Sequence, residues 1–552
     1  MRMGMMRRMR LEETRARVTG FGGAKGFACA AACAAVMLSG CNVGPKYVKP
    51  AAAASAPEYK ESSPAAYNNP PEGTTNAADG TWRPAQPQDA ALKGKWWEVF
   101  NEPELNALED QLNINNQNIA EYFQNFMAAR AQVREAKSQY YPTLTTNPSF
   151  SRQKTPGTLH GVATTGTTTG TTTGTTTTGT TNATGTVGGT TTSIMELPFD
   201  VSWEPDLWGK IRNTVREYQY ATQVSAAELE NERLTEQAAL AEFYFQLRGQ
   251  DALQDLYNKT VEADQESLKL TRALYETGID NDEAVAQAEV TLQGAQETAT
   301  GIATNRAIYE HAIATLIGKP ASSFSLPVKA LTTPVPPIPV GVPSQLLERR
   351  PDIAAAERTM AEANALIGVE KAAYYPTLDL TGSGGLQSSV VSKLFSIPAL
   401  FWSLGASASE TIFDAGLRRA TVAQYTATYN ADVASYKQTV LTSFQQVEDY
   451  IATLRVLSEQ IAREDAAVKA AQNYFDIAIA QYQTGLSPYL DVITAQTILL
   501  SDQQQQVSLR VSEMTPAVEL IQALGGGWNV TQLPSPSQVT SKETARQIAP
   551  TP

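Results

Sequence analysis

The sequence predicts an oligomeric tube of mixed class. Short β-strands would close a membrane barrel only with strands of other copies, and very long coiled-coil helices would continue it. Three observations lead there. The chain duplicates itself, two long proline-free stretches carry apolar residues at steps of seven, and four short segments alternate like lipid-facing strands.

The duplication is read from paired motifs. Tyr140-Tyr141-Pro142-Thr143-Leu144 recurs as Tyr374-Tyr375-Pro376-Thr377-Leu378, 234 residues later. Tyr275-Glu276-Thr277-Gly278 recurs as Tyr482-Gln483-Thr484-Gly485, 207 residues later. Asp206, Gly209 and Arg212 echo Asp414, Gly416 and Arg418. The offset shrinks by 27, so the first copy carries an insertion after its first motif. Every residue from 164 to 181 is Thr or Gly, a composition that cannot bury a core, and a loop is expected across 155–193.

Proline places the helices. None occurs between Pro205 and Pro320, or between Pro398 and Pro488. An interior proline costs about 3 kcal/mol, so such stretches invite long helices. Val433, Val440, Val447, Leu454, Ile461, Val468, Phe475 and Tyr482 are apolar or aromatic at heptad steps. The earlier copy shows Leu240, Leu247, Val261, Leu268 and Tyr275, with Gln254 interrupting. Sustained heptads argue coiled-coil packing. Helices over 212–275 and 416–482 would be rods of roughly 95–100 Å at about 1.5 Å per residue. Gly278 and Gly485 would end them as left-handed caps. Returning helices are expected over 281–317 and 489–524, and preceding ones over 105–140 and 345–374.

Four segments read as strands: 142–152, 376–388, 196–203 and 399–413. Leu197, Phe199, Val201 and Trp203 alternate, as do Leu400, Trp402, Leu404 and Ala406. Alternation with aromatics marks lipid-facing strands, although a half-buried soluble sheet gives the same signal. An open edge cannot sit in lipid, and known outer-membrane barrels need about eight strands or more. One chain offers four. Three chains would supply twelve strands and twelve helical rods.

Composition excludes much else. The 552 residues carry a net charge of −13, which argues against nucleic acid. Two histidines and three cysteines leave little material for a metal site or a catalytic triad. Asp280 and Asp282 pair carboxylates at a loop tip without a nucleophile, so no enzyme and no cofactor are expected. No apolar run is long enough for a transmembrane helix.

The first 40 residues read as a secretory signal: a basic start, a short apolar run from Phe27 to Leu38, then Leu38-Ser39-Gly40-Cys41. This ending is similar to a bacterial lipobox, with Cys41 becoming the lipidated first residue. Removing residues 1–40 leaves 512 residues, a net charge of −18 and Cys41 as the sole cysteine. Resemblance to bacterial lipoproteins with Asn at the next position, here Asn42, implies outer-membrane sorting.

Further motifs complete a resemblance. Cys41-Asn42-Val43-Gly44-Pro45-Lys46-Tyr47, Trp96-Trp97-Glu98-Val99-Phe100, Leu346-Leu347-Glu348-Arg349-Arg350-Pro351-Asp352-Ile353 and Tyr489-Leu490-Asp491-Val492-Ile493-Thr494-Ala495-Gln496 resemble those of the NodT/OprM-type efflux lipoproteins. These are a branch of the TolC-like outer-membrane factors, and the resemblance covers about 41–530. It implies a homotrimer: a twelve-stranded β-barrel in outer-membrane lipid, a periplasmic α-barrel, and an equatorial mixed collar. It also implies a periplasmic membrane-fusion adaptor and an inner-membrane RND-type transporter as partners. The expected organisation is signal 1–40, lipidated and collar segment 41–104, first repeat 105–320, Pro-rich collar linker 321–344, second repeat 345–530 and a disordered tail 531–552.

On this resemblance the chain is a passive exit duct for drugs or other small molecules. Its gate would lie at the hairpin tips, where Asp491, Leu490 and Tyr482 are candidates. Asp491 matches a position that forms an acidic constriction in some relatives, and Leu490 an apolar one. Asp491 as a solvated first-turn carboxylate, and Tyr482 as simple packing, remain the plain alternatives. Gly278, Asp280, Gly485 and Ser487 would form the tips that meet the adaptor. Some relatives carry a basic residue soon after the second tip glycine, and Ser487 stands here instead. The segment 349–353 is expected to be structural. A type I protein-secretion duct and a structural coiled-coil envelope lipoprotein are the other readings. Mature methionines are few and scattered, which gives little support to a Cu(I) relay.

Overall fold

A computed structural model describes residues 42–52, 59–62, 94–155, 190–331, 333–338 and 343–548. The signal segment, Cys41 and most of the Thr/Gly stretch lie outside these residues. The chain divides into two compact units. Among the described residues, one comprises 42–44, 136–212 and 368–421, and the other the remainder.

The first unit is an antiparallel sheet of β1 (Thr143–Thr146), β2 (Ser149–Thr155), β3 (Thr190–Trp203), β4 (Thr377–Ser388) and β5 (Leu400–Ser409). Both β1 and β2 pair with β3, then β4 and β5 follow, so the sheet has four lanes. The strand expected over 142–152 is two strands, broken at Asn147-Pro148. The break falls opposite Leu197 and Pro198. Proline has no ladder donor, so pairing lapses where prolines on both lanes meet. The third strand begins at Thr190, earlier than alternation indicated, because the β-branched run Thr190-Thr191-Thr192 pairs with β2.

The second unit is helical. Its chain order is α1 (Pro103–Asn115), α2 (Gln117–Ser138), α3 (Lys210–Glu276), α4 (Asp282–Leu316), α5 (Leu346–Arg349), α6 (Pro351–Ala372), α7 (Leu417–Gln483), α8 (Tyr489–Ala523) and α9 (Lys542–Ile548), the ends of α2, α3, α6 and α7 reaching into the first unit. The duplication is exact in length: α3 and α7 have 67 residues each, α4 and α8 have 35 each. Asp206 accepts from the Ile211 and Arg212 N–H groups and from Arg212 Nε, and Asp414 accepts from the Gly416 and Arg418 N–H groups and from Arg418 Nε. Each carboxylate satisfies orphan donors at the start of a 67-residue helix.

Two expected helices are interrupted. The helix over 105–140 breaks at buried Asn116, whose Oδ1 accepts from Ile119 N while Nδ2 donates to Glu236 and to the Leu316 carbonyl. The helix over 345–374 breaks at Arg350 because Pro351 disfavours helical geometry in the residue before it. Arg350 then bonds Asp352, Gln446 and the Ala523 carbonyl.

Trp96, Trp97 and Phe100 anchor the largest apolar cluster, with Leu105 and Leu112, Tyr244 and Phe245, Ile313, and Val518 and Ile521. A second joins Ile353 and Met360 to Tyr436, Val440 and Val447. The heptad positions of α7 are all buried or half-buried. Tyr275, at the end of the α3 series, is exposed.

Of the tail expected to be disordered over 531–552, the described part, to residue 548, packs instead. Val539 is fully buried, Ile548 joins the largest cluster, and Arg130 donates to the carbonyls of Val539 and Ser541 at 2.6 and 2.5 Å. Its contacts are isolated apolar residues and main-chain carbonyls, which leave no periodic signature. The Pro-rich segment is also held. Arg248 donates to the Pro327 carbonyl, Arg306 to that of Leu326, and the Lys329 N–H to Asp251.

Candidate functional site

Both hairpin turns are built by the same chain reversal. At the first, Gly278 has φ +75°, its N–H bonds the Tyr275 carbonyl and the Ile279 N–H bonds that of Leu274. At the second, Gly485 has φ +71°, its N–H bonds the Tyr482 carbonyl and the Leu486 N–H bonds that of Gln481. Only glycine adopts this left-handed cap without cost, so the repeated Thr-Gly is explained. Asn281 then caps α4 by accepting from Ala284 N, while Pro488 precedes α8.

The turns are cross-linked. Tyr482, 4% exposed, donates its hydroxyl to Asp280 Oδ2 at 2.6 Å and lies 3.3 Å from Thr271 Oγ1. Burial, then the bond to Asp280, pushes the phenol above its ordinary range. Its ring lies 5.2 Å from that of Tyr489, whose hydroxyl meets Ser267 Oγ at 3.0 Å. Beneath them Leu268, Ala288, Leu292 and Val492 form a small apolar cluster. Deeper still, Asp264 is 2% exposed and accepts from Gln496 Nε2, and burial pushes its carboxyl up. The α3–α4 hairpin is thus bonded to the α7–α8 hairpin near both turns.

Of the sequence candidates, Tyr482 and Asp280 come together across 202 positions. Asp491 and Leu490 do not join them. Leu490 is 56% exposed, and exposed Asp491 makes no side-chain hydrogen bond or ion pair among the described residues. Ser487 Oγ is buried without a partner among the described residues. The sequence reading missed Tyr489, Ser267, Thr271 and Asp264. Tyr489 lies one heptad beyond Tyr482, a signal hidden by the turn between them. The polar partners carry none, since their role exists only against the facing hairpin.

The sheet is largely two-faced, the exceptions being Arg152 and Lys154 toward the end of β2 on the apolar face and Ile194 and Phe401 on the polar one. Register places Leu144, Phe150, Leu197, Phe199, Val201, Trp203, Leu378, Leu380, Leu386, Leu400, Trp402 and Leu404 on one face. Thr143, Thr145, Glu196, Asp200, Ser202, Asp379, Thr381, Ser383, Gln387 and Ser403 occupy the other. There Ser383 Oγ donates to Asp200 at 2.5 Å and Gln387 donates to Glu196. Trp402 is 75% exposed on the apolar face. Such a face belongs in lipid and the opposite one in water. No helix among the described residues is long and apolar enough to cross a membrane.

A duplicated chain of four barrel lanes and two long helical hairpins defines the protomer of an outer-membrane channel. The chain belongs to the outer membrane efflux protein family, whose profile matches residues 108–319 and 342–526. It is 28% identical over 516 residues to the probable efflux pump outer membrane protein TtgC of Pseudomonas putida, covering 93% of this chain and 98% of that one. It is 26% identical over 510 residues to the cation efflux system protein CusC of Escherichia coli, covering 90% and 98%. The outer-membrane channel OprN shares its fold at 25% identity and a TM-score of 0.74, over 88% of this chain and 100% of that one. The open state of the MtrE outer membrane channel of Neisseria gonorrhoeae does so at 22% identity and 0.70, over 89% and 99%. The protein is an efflux protein of the outer membrane with the fold of these channels: a β-barrel with a long helical barrel.

Proposed function

We propose that three copies form the exit duct of a tripartite efflux system. It would conduct small molecules passively from a periplasmic adaptor and an inner-membrane RND-type pump to the exterior. The carrying observation is the largely two-faced sheet whose two edges, β1–β2 on one side and β5 on the other, are unpaired among the described residues. In lipid each edge must be paired, and edge-to-edge pairing of three four-lane sheets gives a closed ring of twelve. The chain does no chemistry in this reading. After removal of residues 1–40, acylated Cys41 anchors the protein, two or more chains giving stable attachment. The hairpin turns with Gly278, Asp280, Gly485 and Ser487 meet the adaptor, and the bond from Tyr482 to Asp280 holds the periplasmic end closed. Asp491 and Leu490, exposed beside it, project toward the threefold axis.

The test is direct. Protein purified in detergent should have the mass of a trimer and conduct in planar bilayers. Deleting the gene should sensitise cells to several unrelated amphiphilic compounds. A monomer that gives no conductance would refute the duct.

A further inference from the structure

Between the lanes of β3 and β5 the apolar face carries an open groove of about 510 Å³. Its floor is Gly382 and Gly384 of β4. Register sets Gly382 between Val201 and Leu404, and Gly384 between Phe199 and Trp402. Neighbouring strands lie about 4.8 Å apart, so the walls on β3 and β5 leave a slot over Gly384, where an added Cβ would meet nothing nearer than 3.7 Å, while Leu404 leans over Gly382, its Cδ2 standing 3.2 Å from a Cβ placed there. From the Trp203–Leu380 pair to the Phe199–Gly384 pair it runs about 13 Å at about 3.3 Å per residue. A lipid-facing strand ordinarily fills such positions with side chains.

The described chain begins near the foot of β4, the strand that floors this groove. The Val43 N–H bonds the Trp208 carbonyl at 3.3 Å, and a methyl group placed on Gly209 would stand 3.2 Å from Asn42 Cα. Trp208 is stacked on Tyr375 and donates its indole N–H to the Pro376 carbonyl at 2.8 Å. Pro376 immediately precedes β4, at the end of the sheet where β3 finishes with Trp203. Trp208 also shares a small hollow with Leu378, a residue of the apolar face. Cys41 is the residue that immediately precedes Asn42 in the chain.

We infer that the glycine-floored groove seats an acyl chain carried by Cys41, so that the anchor lies along its own barrel wall rather than free in the bilayer. This rests on the proposed acylation of Cys41 and adds where the chain goes. The anchor then fills a defect in the lipid-facing surface and holds the chain start at the foot of β4.

The experiment uses the full-length protein in cells fed a palmitate analogue bearing a diazirine. After irradiation the purified protein is proteolysed and sequenced by mass spectrometry. An acyl bridge leaves the Cys41 peptide joined to a second peptide, whereas a bulk lipid leaves an adduct without it. Bridges at Phe199–Trp203 and Leu380–Gly384 should exceed those at Leu144, Phe150 and Leu400 at least about fivefold, as expected of a chain buried on one apolar surface. Even distribution over the apolar face, or groove adducts that come predominantly from bulk lipid, would overturn the inference. A Cys41 peptide without acyl mass would overturn both it and the lipoprotein reading, whereas acylation with bridges elsewhere sinks the groove alone. Gly384→Leu fills the slot, and its Cβ would meet nothing nearer than the Phe401 carbonyl oxygen at 3.7 Å. It should cut groove bridges about tenfold with trimer mass retained, because an occupied slot no longer buries the chain. Bridging at the wild-type level in this variant would also refute the seat.

Discussion

Tyr482→Phe removes one hydroxyl from the junction between the hairpins and keeps the ring. The stacking partner Tyr489 and the surrounding cluster are therefore undisturbed. The lost bond is 2.6 Å long and runs to a carboxylate. Bonds to charged groups contribute about 1.5–3 kcal/mol. Asp280 is only partly buried, so water replaces the phenol and the lower end applies. A threefold channel carries the bond three times, which sums to about 4.5 kcal/mol if it exists only in the closed form. At about 1.4 kcal/mol per decade that is roughly a thousandfold shift of the closed–open balance toward open. Fully reversing a 99:1 balance takes about 5.5 kcal/mol, so a duct that starts about 99:1 closed would pass parity and reach about 1:10 closed to open. The assay is single-channel recording in planar bilayers, with uptake of a large antibiotic as the cellular counterpart. Asp280→Asn should produce a similar opening, since a neutral amide accepts the phenol more weakly. Melting of the whole molecule should hardly move in either variant. Unchanged conductance and uptake in both would mean that the bond merely packs two hairpins and survives opening.

Asp491→Ala should raise conductance or weaken block by divalent cations with stability unchanged, because an exposed first-turn residue has little packing to lose; identical block would leave it a solvated helix-start carboxylate. Asp251 accepts from Arg248, Arg306 and the Lys329 N–H, and Arg248 is nearly fully buried. Asp251→Ala strands these donors and should cost about 3–5 kcal/mol, seen as a lower unfolding midpoint and proteolysis near 327. The Glu242 carboxyl is pushed up to about 7 by burial and by Glu519, itself raised by burial. A carboxyl that titrates higher when folded binds protons that the unfolded chain has released, so stability should fall as pH rises from about 4.5 to 7. Glu242→Gln should flatten that slope in denaturant titrations at several pH values.

The legible parts of this protein were those written in local chemistry or in repetition. Proline-free length and heptad steps are properties of one helix, so α3, α7 and their returning partners could be placed almost to the residue. A left-handed cap needs glycine whatever surrounds it, and Gly278 and Gly485 marked both turns. Alternation revealed the apolar face of β3 and of β5, and the paired motifs revealed the duplication that equal helix lengths then displayed. What depends on facing surfaces was not written locally. Asn116 breaks a helix because Glu236 and Leu316 receive its side chain, and residues 531–548 are held because Arg130, Gln223 and Arg233 bond carbonyls there. The partnership of Tyr482 with Asp280, and the groove over Gly382 and Gly384, arise only when segments about 200 residues apart are laid side by side. Hydrogen bonds and hollows belong to pairs of surfaces, and a linear sequence names the residues on each surface without saying which other surface each will meet.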